Sequence, residues 1–242
     1  MTNEFIGPTN PLVSVIIPCF NYGRYLQEAI QSVLNQSYPN IEVIVVDDGS
    51  TDNTASIASA YESKINYVYQ ENQGIGGARN TGIRHANGSF VSFLDADDIW
   101  IDNKLRLQVD YLLTYPNFDI VYGFAKQFYS PEVSTNFKKT KGYTQEIMRA
   151  TISTALLVSK ESFLRVGLFS DHNIAVDQDW YMRSMELNMK THTLDKVVYL
   201  RRIHENNNGI VAIGPEELSS RLHVIKQSLD RRRLKNKLYR KA

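Results

Sequence analysis

The chain has 242 residues, 43 % of them hydrophobic and 22 % charged, the balance of an ordinary globular protein long enough to bury about 70 % of its unfolded surface. Cys19 is the only cysteine, which excludes an intramolecular disulfide and any cysteine-built zinc site. No run approaches the roughly 18 apolar residues of a membrane span, and Met1 to Leu12 lacks the pattern of a secretory signal, so a cytosolic location is the expectation.

Leu12 to Pro18 (LVSVIIP) is a β-branched run with the length of a buried strand. Tyr25, Leu26, Ala29, Ile30, Val33 and Leu34 then recur at helical spacing until Pro39-Asn40 stops them. Ile41 to Val46 (IEVIVV) predicts a second buried strand, and Thr51 or Asp52 a cap for a helix running towards Tyr61. Asn66 to Gln70 reads as a short strand. A Gly-rich stretch from Gly74 leads into a helix ending near Gly88, and Phe90 to Leu94 is a further strand. Lys104 to Tyr115 carries Leu105, Val109, Leu112 and Leu113 on one helical face. Beyond it the pattern predicts strands at Asp119 to Gly123, Ala155 to Ser159 and Thr191 to Leu200. Helices are predicted at Asp177 to Leu187 and Glu216 to Leu238, and a polar loop at Ser130 to Tyr143.

Strand, helix and strand in alternation mean crossover units and a mostly parallel sheet. Such sheets bind ligands outside the carboxyl ends of their strands. Asp47 and Asp48 follow one strand there, and Asp95, Asp97 and Asp98 follow another. A single Asp at such a place, notably Asp52 or Asp98, is explained by capping or turn formation. Two clusters converging on one edge repel one another unless a cation or donor groups compensate. In the spacing Asp95-Ala96-Asp97 both carboxylates address one ligand, because alternate residues of an extended segment point the same way. A divalent metal whose shell is completed by substrate phosphates is the economical explanation, and it implies a nucleoside diphosphate. Gly74 to Gly77 (GIGG) fails as a phosphate loop: it does not follow the first strand, and Arg79 stands where the dinucleotide pattern needs a third glycine.

The charge, 27 basic against 26 acidic residues, is unevenly spread. From Arg221 to Ala242 there are nine Lys/Arg and one acid, Asp230, which leaves 18 basic and 25 acidic residues before it. Such a tail is either a solvated amphipathic helix end or a dock for anionic lipid, nucleic acid or an acidic partner.

The stretches LVSVIIPCFNYGRYLQEAIQSVLNQSYPNIEVIVVDDGSTDNT, NQGIGGARNTGIRHANGSFVSFLDADDIW, VGLFSDHNIAVDQDWYMR and RRIHENNNG together resemble family 2 of the glycosyltransferases, inverting enzymes of the GT-A fold. The resemblance implies a Rossmann-like, mostly parallel central sheet flanked by helices, then an irregular acceptor-side half and a C-terminal helix. It divides the chain into a nucleotide-sugar-binding half (1–105), an acceptor-side half of the same domain (106–214) and a basic helical tail (215–242). The donor it implies is a nucleoside-diphosphate sugar, UDP-linked by preference, with Mn2+ or Mg2+. The acceptor is a glycan or lipid-linked hydroxyl; no nucleic acid is involved.

By the same resemblance Pro18, Phe20 and Asn21 line the nucleotide pocket, and Asp48 accepts a hydrogen bond from the base. Arg79 reaches the base or phosphates. Asp95 and Ala96 of the DxD motif face the ribose side, and Asp97 binds the metal. His204 contacts the metal or the diphosphate, and Asp177 is the general base. The family commonly has Glu-Asp where this chain has Val176-Asp177, which bears on the acceptor more than on the base. A lipid-linked acceptor would suit a basic tail lying on the inner face of the plasma membrane. Two rivals are a catalytically silent sugar-nucleotide-binding module and a sugar-nucleotide pyrophosphorylase. The latter needs a Gly-rich basic loop where Pro18-Cys19-Phe20-Asn21-Tyr22 stands. Cys19 reads as a small filler, and Trp100 and Trp180 as either site walls or core. Asp179 reads as the partner of Arg183 one helical turn on.

Overall fold

A computed structural model of the chain describes residues 10–137, 147–170, 175–205, 207 and 215–239. Its first half is built from β1 (Val13–Cys19), α1 (Gly23–Leu34), β2 (Ile41–Asp47), α2 (Thr54–Ser59), β3 (Asn66–Tyr69), α3 (Gly74–His85) and β4 (Phe90–Phe93). β1 lies between β2 and β4, β3 flanks β2, and all three pairings are parallel, as the alternating pattern predicts. β1 is buried along its whole length because helices cover both faces, which is why it reads as an unbroken apolar run. Pro18 is tolerated there because the ladder with β4 ends at Ile16↔Phe93, so the missing N–H has no partner to lose.

The second half comprises β5 (Ile99–Trp100), α4 (Lys104–Thr114), β6 (Ile120–Tyr129), β7 (Ile147–Ala150), a 3-10 turn (Ser153–Ala155), β8 (Leu157–Ser159) and α5 (Lys160–Val166). α6 (Val176–Glu186), β9 (Thr191–Ile203) and α7 (Pro215–Tyr239) follow. The full sheet runs β3-β2-β1-β4-β8-β6-β9-β5, with β7 beside β6. β8 pairs antiparallel with both β4 and β6, so it splices the two halves into one sheet. β6 and β9 are both longer than their hydrophobic patterns suggest, because each is paired with the other along nearly its whole length. A register shift interrupts that pairing at Gly123, where a Cβ would stand 2.4 Å from Val198 Cγ1.

Two local readings are revised, and the choice between Thr51 and Asp52 is decided. The glycines of GIGG lie inside α3 rather than before it, and Gly76 permits close approach of the chain at Ser170, whose carbonyl would be 2.6 Å from a Cβ. Asp52, not Thr51, serves α2: Oδ1 accepts from Thr54 N at 3.0 Å while Oδ2 accepts from Gly23 N at 2.9 Å, so one carboxylate ties the starts of both helices. Ser130 to Phe137 is turn and a short helical piece; the rest of that predicted loop lies outside the described residues.

Trp100 and Trp180 are both core residues, Trp180 stacked on Phe163. Lys104, at the start of α4, is fully buried. Its Nζ donates to Ser92 Oγ (2.9 Å), Gln108 Oε1 (2.7 Å) and Leu156 O (3.2 Å) and lies over the Trp100 ring. Burial holds its pKa well below the usual lysine value. Cys19 is buried, and desolvation pushes its thiol up to about 12, consistent with a filler. No described helix is long and apolar enough to cross a membrane.

Candidate active site

The carboxyl ends of β1, β2 and β4 open on one edge, and each carries its acid or amide at the strand end. Asn21 takes a left-handed conformation (φ 56°), which Asn tolerates, and its Oδ1 accepts from Thr51 N at 2.8 Å. The two acids after β2 are held by local donors. Asp47 accepts from Ser50 N and from the Tyr67 hydroxyl (2.6 Å). Asp48 Oδ1 accepts from Gln70 Nε2 (2.6 Å) and Gln73 N (2.9 Å), which pulls the β3–α3 link over the end of β2.

The acids after β4 meet the second half of the chain. Arg79 on α3 is 2 % exposed and donates from one guanidinium nitrogen to Asp95 Oδ1 (2.8 Å) and from the other to Asp177 Oδ1 (3.2 Å). Its fork therefore spans the DxD motif and α6. Thr154 Oγ1 donates to the other Asp95 oxygen (3.1 Å), and Ser153 N to Asp177 Oδ1 (3.0 Å), so the 3-10 turn closes the same cluster. Burial raises the Asp95 pKa, and the Asp97 and Asp177 charges add to it against the pull of Arg79. Burial alone would lower the Arg79 pKa, but Asp177 and Asp95 outweigh it and raise it. Asp177 does not cap α6: the capping position is Ala175, which has no side-chain cap, and Asp177 Oδ2 takes no hydrogen bond among the described residues.

Asp97 belongs to a second knot. Its Oδ2 lies 3.1 Å from His204 Nε2 and 3.0 Å from Asn207 Nδ2. Asn207 also donates to Arg202 O and accepts from His204 N, fixing the turn that follows β9. Arg202 donates from Nε to the Asp97 carbonyl (2.8 Å), from its backbone N to Asp98 Oδ1 (2.9 Å) and from a terminal nitrogen to Glu28 (2.9 Å). Its guanidinium lies between the rings of Tyr25 and Phe128, 4.7 Å from each centroid. Tyr22 and Tyr25 pack on the His204 ring, and burial together with Asp97 and Asp95 pushes the Tyr22 hydroxyl up, so it stays protonated. Asp98 is fully buried; desolvation and the neighbouring Asp97 and Asp95 charges raise its pKa well above the usual value.

Asp97 and His204 bring a carboxylate oxygen and an imidazole nitrogen together, a donor pair that one divalent cation could address. As they stand, the two atoms lie 3.1 Å apart in a hydrogen bond. Among the described residues no group of three or more His, Cys, Asp or Glu converges. A cation there would take its remaining ligands from phosphate oxygens and water, the usual arrangement for Mg2+ and similar ions.

The structure thus joins Arg79, Asp95 and Asp177 in one cluster and Asp97 with His204 in the next, linked through Ala96, which is buried. Phe20 stands exposed at the end of β1, whereas the Pro18 side chain is buried in the strand. Asp48 has no hydrogen bond or ion pair to Asp95 or Asp97 among the described residues; its partners are Gln70, Asn72 and Gln73. The sequence reading missed Thr154, Ser153, Asn207 and Arg202. Only Arg202 and Asn207 carried a signal, their position around His204 in RRIHENN.

A parallel β-α-β half with acids at its strand ends, completed by a mixed half that supplies another acid and a histidine, defines a GT-A type nucleotide-binding architecture. The chain belongs to glycosyl transferase family 2, whose family model matches residues 14–172. It is 35 % identical over 182 residues to UDP-Glc:alpha-D-GlcNAc-diphosphoundecaprenol beta-1,3-glucosyltransferase WfgD of Escherichia coli, covering 68 % of this chain and 72 % of that protein. It is 33 % identical over 208 residues to an uncharacterized glycosyltransferase of Rickettsia typhi, covering 81 % of this chain and 65 % of that one. The chain spans only 29 % of a similar Rickettsia felis protein, so several curated relatives are much longer. S. aureus TarS 1-349 in complex with UDP-GlcNAc superposes with a TM-score of 0.69 at 25 % identity, covering 90 % of this chain and 65 % of TarS. The mannosyltransferase PcManGT of Pyrobaculum calidifontis, in complex with GDP-Man and Mn2+, shares the fold (TM-score 0.63, 22 % identity, 91 % of this chain and 70 % of that one).

Proposed function

We propose that the chain transfers a sugar from a nucleoside-diphosphate sugar, UDP-linked by preference, to a hydroxyl of a glycan or lipid-linked acceptor, with inversion at the anomeric carbon. The observation that carries this reading is the Arg79 fork, which holds the DxD acid Asp95 and the second-half acid Asp177 on one guanidinium. Donor-side and acceptor-side groups therefore share a single edge of the sheet. In this reading residues 1–105 hold the donor, 106–214 shape the acceptor side and 215–242 are the basic tail, whose described part, 215–239, is α7. The preference for UDP is supported by the bound donor of TarS and the donor in the name of WfgD.

Asp97 and His204 would hold a divalent cation, which supplies charge neutralisation to a departing diphosphate. Asp95, with one oxygen on Arg79 and the other on Thr154, is fixed for the ribose side of the donor. Asp177 has Oδ1 pinned by Arg79 and Ser153, which leaves Oδ2 to take the acceptor proton. As that proton moves to Oδ2, the acceptor oxygen forms its bond to the anomeric carbon. The bond from that carbon to the diphosphate oxygen breaks with its electron pair. One base suffices for a single displacement.

Purified protein is assayed with UDP-sugars and candidate acceptors, with UDP binding followed by thermal shift. Asp177→Asn should lower kcat by about 10²–10⁴-fold and leave UDP binding intact. Asp97→Asn should lose the Mn2+-dependent part of the UDP shift. Near-normal turnover of Asp177→Asn would move the base elsewhere, and an undiminished Mn2+-dependent shift in Asp97→Asn would remove the metal assignment.

A further inference from the structure

α7 packs on α6 through one face only. Arg231 donates to Glu186 (2.7 Å) and lies 3.6 Å from Asp179, Ser228 donates to Glu186 (2.6 Å), and Val224 is buried with Ser228. Arg231, which the sequence places in a free basic tail, is thus a clamp to the body.

At about 100° per residue, Leu218, Leu222, Ile225 and Leu229 fall within a sector of about 60° that begins about 60° round the helix from Ser228, while exposed Leu234 lies outside it. They are exposed by 61 %, 56 %, 37 % and 48 %. Arg221 and Arg232 border this stripe on one side and Lys226, Arg233 and Lys237 on the other, all of them exposed. Asp230 is paired with Arg233 at 3.5 Å. An apolar seam edged by cations is the pattern of a helix lying in the plane of a bilayer, with basic side chains reaching for headgroups.

We propose that this face of α7 is a docking surface for an anionic lipid bilayer, the leucine stripe entering the headgroup boundary and the flanking cations meeting acidic lipid. Charge complementarity selects this occupant. Two copies meeting stripe to stripe would bring like-charged borders together, whereas an anionic surface neutralises both borders at once. The proposal stands on α7 alone and not on the sugar-transfer reading.

The test is flotation of the whole chain with phosphatidylglycerol-containing vesicles and with phosphatidylcholine vesicles, at low and high salt. The parent should float with the anionic vesicles, less at high salt, and hardly with the neutral ones. Leu222→Ser/Leu229→Ser should bind anionic vesicles about 100-fold more weakly, about tenfold per leucine. Arg232→Gln/Arg233→Gln should lose binding as well, and circular dichroism with thermal melting would report whether each variant stays folded. Any of three results would overturn the proposal: no binding to anionic vesicles, equal binding by the folded leucine variant, or a vesicle-free dimer that the leucine substitutions abolish.

Discussion

Replacing Arg79 by Met removes the cation between two carboxylates while keeping a long apolar stem over Phe93 and Phe169, whose rings lie 6.0 and 5.4 Å from the guanidinium. Removing one member of a buried charge pair costs about 3–5 kcal/mol. The Asp95 and Asp177 side chains keep 29 % and 30 % of their surface in water, so the low end, about 3 kcal/mol, is expected at pH 7. The loss should depend on pH. With the guanidinium gone, burial and the Asp97 and Asp177 charges act on Asp95 against the Thr154 hydrogen bond alone, and its pKa already lies above its ordinary value of 3.8. The folded variant then binds a proton more tightly than the unfolded chain, so its stability rises as pH falls towards that range. The gap to the parent should therefore be smaller at pH 5 than at pH 7. Urea unfolding followed by circular dichroism at both pH values measures it. A deficit under about 1 kcal/mol at pH 7, or one that does not change with pH, would refute the assignment of Arg79 as the tie between the two acids.

Asp98 obeys the same sign rule in the parent. Its raised pKa means the native state holds the proton better, so its contribution is lost as pH rises through the raised value. Asp98→Asn keeps an oxygen for Arg202 N and removes the repulsion, so thermal melts should show equal or higher stability at pH 7 and a flatter profile from pH 5 to 8. A lower melting temperature at pH 7 would contradict this. Gly82→Ala would set a Cβ 2.3 Å from Ile16 Cγ2, at the contact of α3 with β1. That overpacking should cost about 1–3 kcal/mol, read as a fall of several degrees in Tm. An unchanged Tm would mean that α3 shifts freely on the sheet.

The parallel half was readable from sequence because its signals are local. β-branched runs mark strands buried on both faces, and the acids after Val46 and Leu94 mark the strand ends where such sheets bind ligands. The DxD spacing is local in the same way, whereas Asp177 and His204 were implied only by the family resemblance. Only the tertiary structure decided which of these acids meet. Arg79 and Asp177 lie 98 residues apart and Asp97 and Asn207 lie 110 apart, and no periodicity records such a pairing. Lys104 reads as the polar start of an amphipathic helix, yet it is buried because Gln108 one turn along its own helix, Ser92 on β4 and the Leu156 carbonyl before β8 supply three acceptors. The basic tail shows the same division. Its charge is plain in the composition, but which cations face inward depends on Glu186 and Asp179, carried by a helix more than 40 residues earlier. Short-range patterning determines which residues form an element; the long-range partner of each charged group is chosen only when burial makes an unpaired charge too costly to keep.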